Sequence, residues 1–202
     1  MKLICITGLD GSGKSTQVKR LSESLPNSRI VSVWDIIRRP EFQPWSIYKS
    51  PPDVEKYVMN LSPTSRSLFV FHSFNEAYES ALKSDADYLI FDSYWYKYLA
   101  IEQAMGCSED FSDFVKTQYK EPDLVIYLDL PNDQLIHRKP KISYYESGNK
   151  DKIDYPNFLR IQKKAKVLIE GFLPTKTVWI DAQMSIDEIG DVISEIIKNS
   201  TT

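Results

Sequence analysis

The chain has 202 residues, 42% of them hydrophobic, a net charge of −3 and two cysteines. These figures suit one domain with a full core and exclude a globally basic nucleic-acid surface and a disulfide framework. No apolar run approaches the ~20 residues of a bilayer crossing, and "MKLICITG" lacks the apolar length and cleavage site of a secretory signal. A soluble protein of the reducing cytoplasm is therefore expected, with no nucleic-acid or membrane partner.

In chain order, residues 2–7 form a strand-length apolar run that enters "GLDGSGKST", residues 8–16, and a helical pattern follows over 14–25. Gly8, Gly13, Lys14 and Ser15 fit G-x-x-x-x-G-K-[ST], in the strand-then-helix setting that such a loop requires. Gly8, Gly11, Ser12, Gly13, Lys14, Ser15 and Thr16 are thus the candidate cradle for the phosphates of ATP. Lys14 reaches the β- and γ-phosphates and Ser15 holds Mg²⁺. A second strand is expected at 29–35. Residues 38–52 contain Pro40, Pro44, Pro51 and Pro52, too many for one uninterrupted helix.

A helix opened by Ser62-Pro63 covers 63–83, and a third strand at 87–92 ends in Asp92. A strand-terminal carboxylate there could order Mg²⁺ or the acceptor, or only cap the next helix. Helices at 94–105 and 108–119 precede a fourth strand at 123–130. Residues 138–152, "RKPKISYYESGNKDK", are basic and have no apolar face. In an open parallel sheet this segment projects over the carboxyl ends of the strands, where ligands bind, and forms a small lid. A helix at 154–172, a strand at 176–181 and a helix at 185–199, opened by the Ser185/Glu188 capping box, complete the pattern. The expected fold is α/β in three layers: a five-stranded parallel sheet with helices on both faces.

A guanine-reading N-K-x-D is missing, since Asn149-Lys150-Asp151 is followed by Lys152. Shortness and a basic lid favour a kinase of a small acceptor over a GTPase or a motor. The combination resembles the thymidylate kinase family of nucleoside monophosphate kinases. Four stretches carry it: "GLDGSGKSTQVKRL" from Gly8 with Asp10 inside it, "DSYWYKYLAIEQA" from Asp92, "EPDLVIYLDLP" from Glu121 and "SLFVFHSFNEA" from Ser67.

The resemblance implies ATP-dependent transfer to dTMP or a related pyrimidine deoxynucleotide, and a protein that often pairs as a homodimer. It assigns Asp10 to the acceptor sugar, Phe69 to stacking on the base and Arg38 or Arg39 to the acceptor phosphate. Arg138, backed by Lys141, becomes the catalytic lid cation, and Tyr145 falls in a weakly matching lid pair with Glu146. Lys14 and Asp92 complete the catalytic set, and Tyr94 belongs to the acceptor segment. Departures gather on the acceptor side. Ser93 replaces an arginine, Ser73 a base-reading arginine and Lys97 a serine; Ile101 replaces an aromatic, and Glu102 a glutamine. Lys97 and Glu102 then either read a base edge or are solvated helix charges. The alternatives are a kinase of another small acceptor (a deoxynucleoside, a modified nucleotide or a non-nucleotide) and a degenerate nucleotide-binding relative acting through a partner.

Overall fold

The computed structural model describes residues 1–42, 44 and 50–200. Part of the proline-rich stretch expected to interrupt any helix, residues 43 and 45–49, lies outside them. Five strands form one sheet: β1 (Lys2–Gly8), β2 (Ser28–Val31), β3 (Tyr88–Asp92), β4 (Leu124–Asp129) and β5 (Val178–Asp181). All pairings are parallel, in the order β2-β3-β1-β4-β5. β1 thus sits in the middle, with Ile6 opposite both Asp92 and Ile126.

Because both faces of a parallel sheet are covered, its strands read as continuous apolar runs, yet their residues divide with period two. Ile4, Ile6, Ile90, Ile126 and Leu128 pack against Val18 of α1 (Lys14–Ser24), Ile161 of α8 (Tyr155–Phe172) and Ile189 of α9 (Ile186–Asn199). Leu3, Cys5, Leu89, Phe91 and Val125 point the other way. They meet Val70 and Phe74 of α3 (Pro63–Leu82) and Leu99 of α4 (Trp95–Ala104). These two cores hold the carboxyl ends of β1, β3 and β4 side by side. Among the described residues no helix is long and apolar enough to cross a membrane.

Several elements differ from the sequence expectation. β2 stops at Val31, short of residue 35, because the Asp35 carboxylate accepts from Ser32 N at 2.9 Å and turns the chain into a 3-10 turn, Asp35–Arg38. The prolines at 51 and 52 begin a helix, α2 (Pro51–Met59), where their missing N–H groups cost nothing, and Ser50 caps it. α5 (Phe111–Gln118) is a shorter form of the expected helix.

The basic segment is partly ordered as well. α6 (Leu135–Arg138) leads into it and α7 (Tyr144–Ser147) lies within it. A Ser143/Glu146 capping box opens α7 and Gly148, at φ 62°, ends it. α2 and α7 dock on each other, with Glu55 of α2 beside Ser143 and Tyr144.

A Cβ on Gly148 would run into Ile161 Cδ1 of α8 and come within 3.0 Å of Asn157 Nδ2, in a left-handed backbone. Gly148→Ala should therefore lower stability by about 1–3 kcal/mol, read from the urea midpoint at unchanged m-value.

Candidate active site

The phosphate loop joins β1 to α1 at the centre of the sheet. Gly8 allows it to leave the strand tightly, since a Cβ there would stand 2.6 Å from Leu128 O. Gly13, at φ 90°, is the N-cap of α1 and supplies no capping side chain. The first N–H groups of the helix are thereby left for an anion. Lys14, 8% exposed, folds back over the loop and donates to Leu9 O at 3.2 Å and Asp10 Oδ1 at 3.4 Å. Gly11 lies under the start of the lid, where a Cβ would meet Lys139 Cβ at 3.3 Å and Arg138 Cβ at 3.8 Å. Ser12 is buried with an unpartnered hydroxyl, and Thr16 is exposed on the first turn of α1.

The Ser15 hydroxyl donates to Asp92 Oδ2 at 2.6 Å, while Asp92 Oδ1 is buried without a partner. A hydroxyl oxygen and an orphaned carboxylate oxygen at the mouth of a phosphate loop suit Mg²⁺, a hard cation that takes oxygen ligands. Among the described residues no group of three or more His, Cys, Asp or Glu gathers to hold a metal. Such an ion would therefore draw its remaining ligands from nucleotide phosphates and water.

Beyond the loop opens a cleft lined among others by Asp10, Trp34, Glu55, Lys97, Tyr98 and Tyr145. Its floor is a charged cluster. Asp10 Oδ1 receives the Lys97 ammonium at 2.5 Å, and Asp10 Oδ2 accepts from Gln162 Nε2 of α8 at 2.9 Å. Gln162 Oε1 in turn accepts from Asp10 N at 3.1 Å. Burial alone would raise the Asp10 carboxyl, but the Lys97 charge, followed by those of Lys14 and Lys139, holds it well below the usual carboxylate range. Burial and then repulsion from Lys97 pull Lys14 down to about 8, against the attraction of Asp10 and Asp92. Burial also works against the Lys97 charge, and the Asp10 carboxylate outweighs it, so Lys97 is raised.

The cleft's upper wall is the basic segment, residues 138–152. Lys139 pairs with Glu146, and the Trp34 and Tyr145 rings meet edge to face, 6.0 Å between centroids. The Tyr145 hydroxyl donates to Glu102 Oε1 at 2.8 Å. Glu102 is fully buried; its other oxygen takes the Arg66 guanidinium at 2.9 Å and the Ser67 hydroxyl at 3.1 Å. Burial outweighs these donors and raises the Glu102 carboxyl.

Three expected acceptor contacts are thus drawn out of the cleft. Glu102 is engaged by Arg66, Ser67 and Tyr145, since a buried carboxylate must be paired. Ser73 is buried and donates to Phe69 O at 3.1 Å within its own helix. Tyr94 lies wholly in the core, 5.4 Å from the Phe74 ring, its hydroxyl donating to Lys120 O at 2.6 Å. Lys97 is the opposite case: its side chain is 12% exposed and lines the cleft, so it is not a solvated helix charge.

The two arginines also part company. Arg39 is tied to Glu41 and Glu76 at 2.5 and 3.2 Å, whereas Arg38 is 80% exposed in its side chain, with Asp35 3.5 Å away. Phe69 packs with Trp34 on the small cluster of Ile36, Ile37, Val54 and Val58. In the lid, the Arg138 guanidinium rests on Gln183 O at 3.4 Å, in the loop after β5, and Lys141 is exposed. Trp34, Glu55 and Gln162 had no signal in the sequence, because each reaches the cleft from an element remote in the chain.

A family model described as thymidylate kinase matches residues 6–193. The probable thymidylate kinase 1 of Saccharolobus solfataricus is 33% identical over 141 residues, covering 68% of this chain and 69% of that protein. The chain belongs to the thymidylate kinase family. The thymidylate kinase of Legionella pneumophila (strain Paris) is 26% identical over 98% of this chain and 94% of its own length. Among solved structures, thymidylate kinase from Candida albicans superposes with a TM-score of 0.70 at 20% identity, over 99% of this chain and 92% of that one. Deoxyadenosine kinase from M. mycoides reaches 0.68 at 16% identity, over 98% and 99%. At those identities the two structures establish the three-layer kinase fold. Family membership makes this protein a nucleoside monophosphate kinase.

Glu102→Gln removes one charge of a buried pair and should destabilise the fold by about 3 kcal/mol. Replacing Arg66 and Glu102 together by Met should cost less than the sum of the two single Met substitutions, a coupling that a double-mutant cycle of urea melts measures.

Proposed function

We propose that this chain transfers the γ-phosphoryl group of ATP to dTMP, or to a closely related pyrimidine deoxynucleotide, and forms the diphosphate. The observation that carries it is the placement of the Ser15–Asp92 pair beside the Lys97–Asp10 pair. The first faces the phosphate loop and the second the cleft, so donor and acceptor meet across one charged floor. The family and the names of its relatives support dTMP as acceptor.

The γ-phosphorus loses its bond to the bridging oxygen of ADP and gains one to an acceptor phosphate oxygen, with no covalent enzyme intermediate. Lys14 and the N–H groups at the start of α1 hold the donor phosphates, and Ser15 and Asp92 would hold Mg²⁺. The ion would supply charge neutralisation for the phosphates there. Arg38 holds the acceptor phosphate: Arg39 is already engaged by two carboxylates, and a guanidinium fork fits phosphate oxygens. Trp34 and Tyr145 wall the base, with Phe69 behind, and Asp10 meets the sugar. Residues 138–152 serve as a lid, with Arg138 and Lys141 swinging onto the transferred group as water is expelled.

Chromatographic assay with ATP, Mg²⁺ and a panel of dTMP, dUMP, dCMP, dGMP, UMP and thymidine should yield dTDP from dTMP. Turnover of another member in its place would move the acceptor, and silence across the panel would sink the assignment. In the same assay Lys14→Ala should abolish product. Asp92→Asn should cost roughly 100-fold or more in kcat, against little change if the carboxylate were only a helix cap. Arg38→Ala should raise KM for the acceptor roughly 10-fold or more, and Arg39→Ala should barely move it.

A further inference from the structure

Among the described residues, Lys97 is set apart by its surroundings. It sits on the first turn of α4, its side chain is 12% exposed, and it lines the acceptor cleft. Its ammonium ion nevertheless lies 2.5 Å from the carboxylate of the phosphate loop. Lys14, the lysine of that loop, touches the same oxygen, Asp10 Oδ1, at 3.4 Å. Two buried ammonium ions share one carboxylate oxygen, and each feels the other's charge. Gln162, the remaining partner of Asp10, is neutral. The cluster therefore holds one positive charge more than Asp10 cancels. Buried charge of that kind is costly until an anion arrives to pair with it. Asp92, which acts electrostatically on both lysines, has the Ser15 hydroxyl on one oxygen and leaves the other buried without a partner.

A nucleotide in the loop takes Lys14 onto its β- and γ-phosphates. Lys97, reaching Asp10 from the acceptor side, then remains between donor and acceptor. Ser93 at the end of β3 offers only a buried hydroxyl without a partner, and Arg138 rests on the loop after β5. Neither brings a charge to that point in this structure.

We propose that Lys97 is a catalytic residue whose ammonium ion contacts the phosphoryl group during its transfer from donor to acceptor, an inference that rests on the phosphotransferase reading above. Lys97 makes and breaks no bond and moves no proton. The leaving electron pair goes to the ADP oxygen, and the ammonium balances the charge that spreads over the oxygens of the phosphoryl group in flight. Neutralising that charge does most to lower the barrier in such a reaction.

The test is titration calorimetry of the full chain with Mg²⁺ and ADP, with and without aluminium fluoride as the mimic of the phosphoryl in flight, and with and without dTMP. Wild type, Lys97→Met, Lys97→Ser and Lys97→Arg are compared. ADP affinity without fluoride should fall by no more than roughly tenfold in the charge-deleted variants, the share that the excess charge contributes to holding any anion, and should be kept in Lys97→Arg. The gain in affinity on adding fluoride should fall by on the order of 100-fold in the Met and Ser variants and return for the most part in Lys97→Arg. In turnover, kcat should fall by a similar factor with KM for dTMP little changed. Asp10 keeps Lys14 and Gln162 in these variants; should Lys97→Met still not fold, Lys97→Gln deletes the charge while leaving Asp10 a donor. A full fluoride-dependent gain in the charge-deleted variants overturns the proposal, as does its absence from wild type. A loss confined to KM overturns it too, and makes Lys97 a reader of the acceptor. The ADP–fluoride titration without dTMP needs no acceptor, so failure of dTMP to bind or react sinks the acceptor assignment while leaving the Lys97 readout intact.

Discussion

The Asp10 carboxylate is the joint on which the site turns. It belongs to the phosphate loop, yet its partners come from three other places: Lys97 from α4, Gln162 from α8 and Lys14 from the first residue of α1. A carboxylate this buried survives ionised only because cations surround it. One charge thus locks α4 and α8 to the loop and sets the electrostatics of the cleft floor.

A second buried carboxylate does mechanical work nearby. Glu102 takes Arg66 and Ser67 from α3 and Tyr145 from α7, so the helix that walls the cleft, the helix beside it and the basic segment share one polar knot. An unsatisfied carboxylate at that depth would be costly, so Tyr145 is held in one orientation against Trp34. The cleft owes its shape to this knot, and its charged floor to Asp10 and Lys97.

The parallel sheet is what allows both. β1 in the centre places the loop between β3 and β4. The register of β1 on β3 sets Ile6 opposite Asp92, so a carboxylate remote in the chain arrives beside the phosphate loop. The aromatic residues at 94, 96 and 98 divide accordingly. Tyr94 and Tyr96 fill the core, and Tyr98 lies at the cleft edge with its hydroxyl donating to Asp92 O at 3.0 Å.

The sequence by itself determined the sheet, the order of its elements and the phosphate loop, because apolar periodicity, glycine spacing and capping residues act over a few neighbours. It also marked Lys97 as foreign to its family position. Only the tertiary structure decided what the acceptor-side residues do. Ser73 turned to its own helix, Glu102 to Arg66 and Tyr94 to the core, while Trp34 and Gln162 entered from opposite ends of the chain. A buried charge or hydroxyl must satisfy itself with whatever the fold brings within about 3 Å, and that partner is set by packing between distant segments, which no local pattern records.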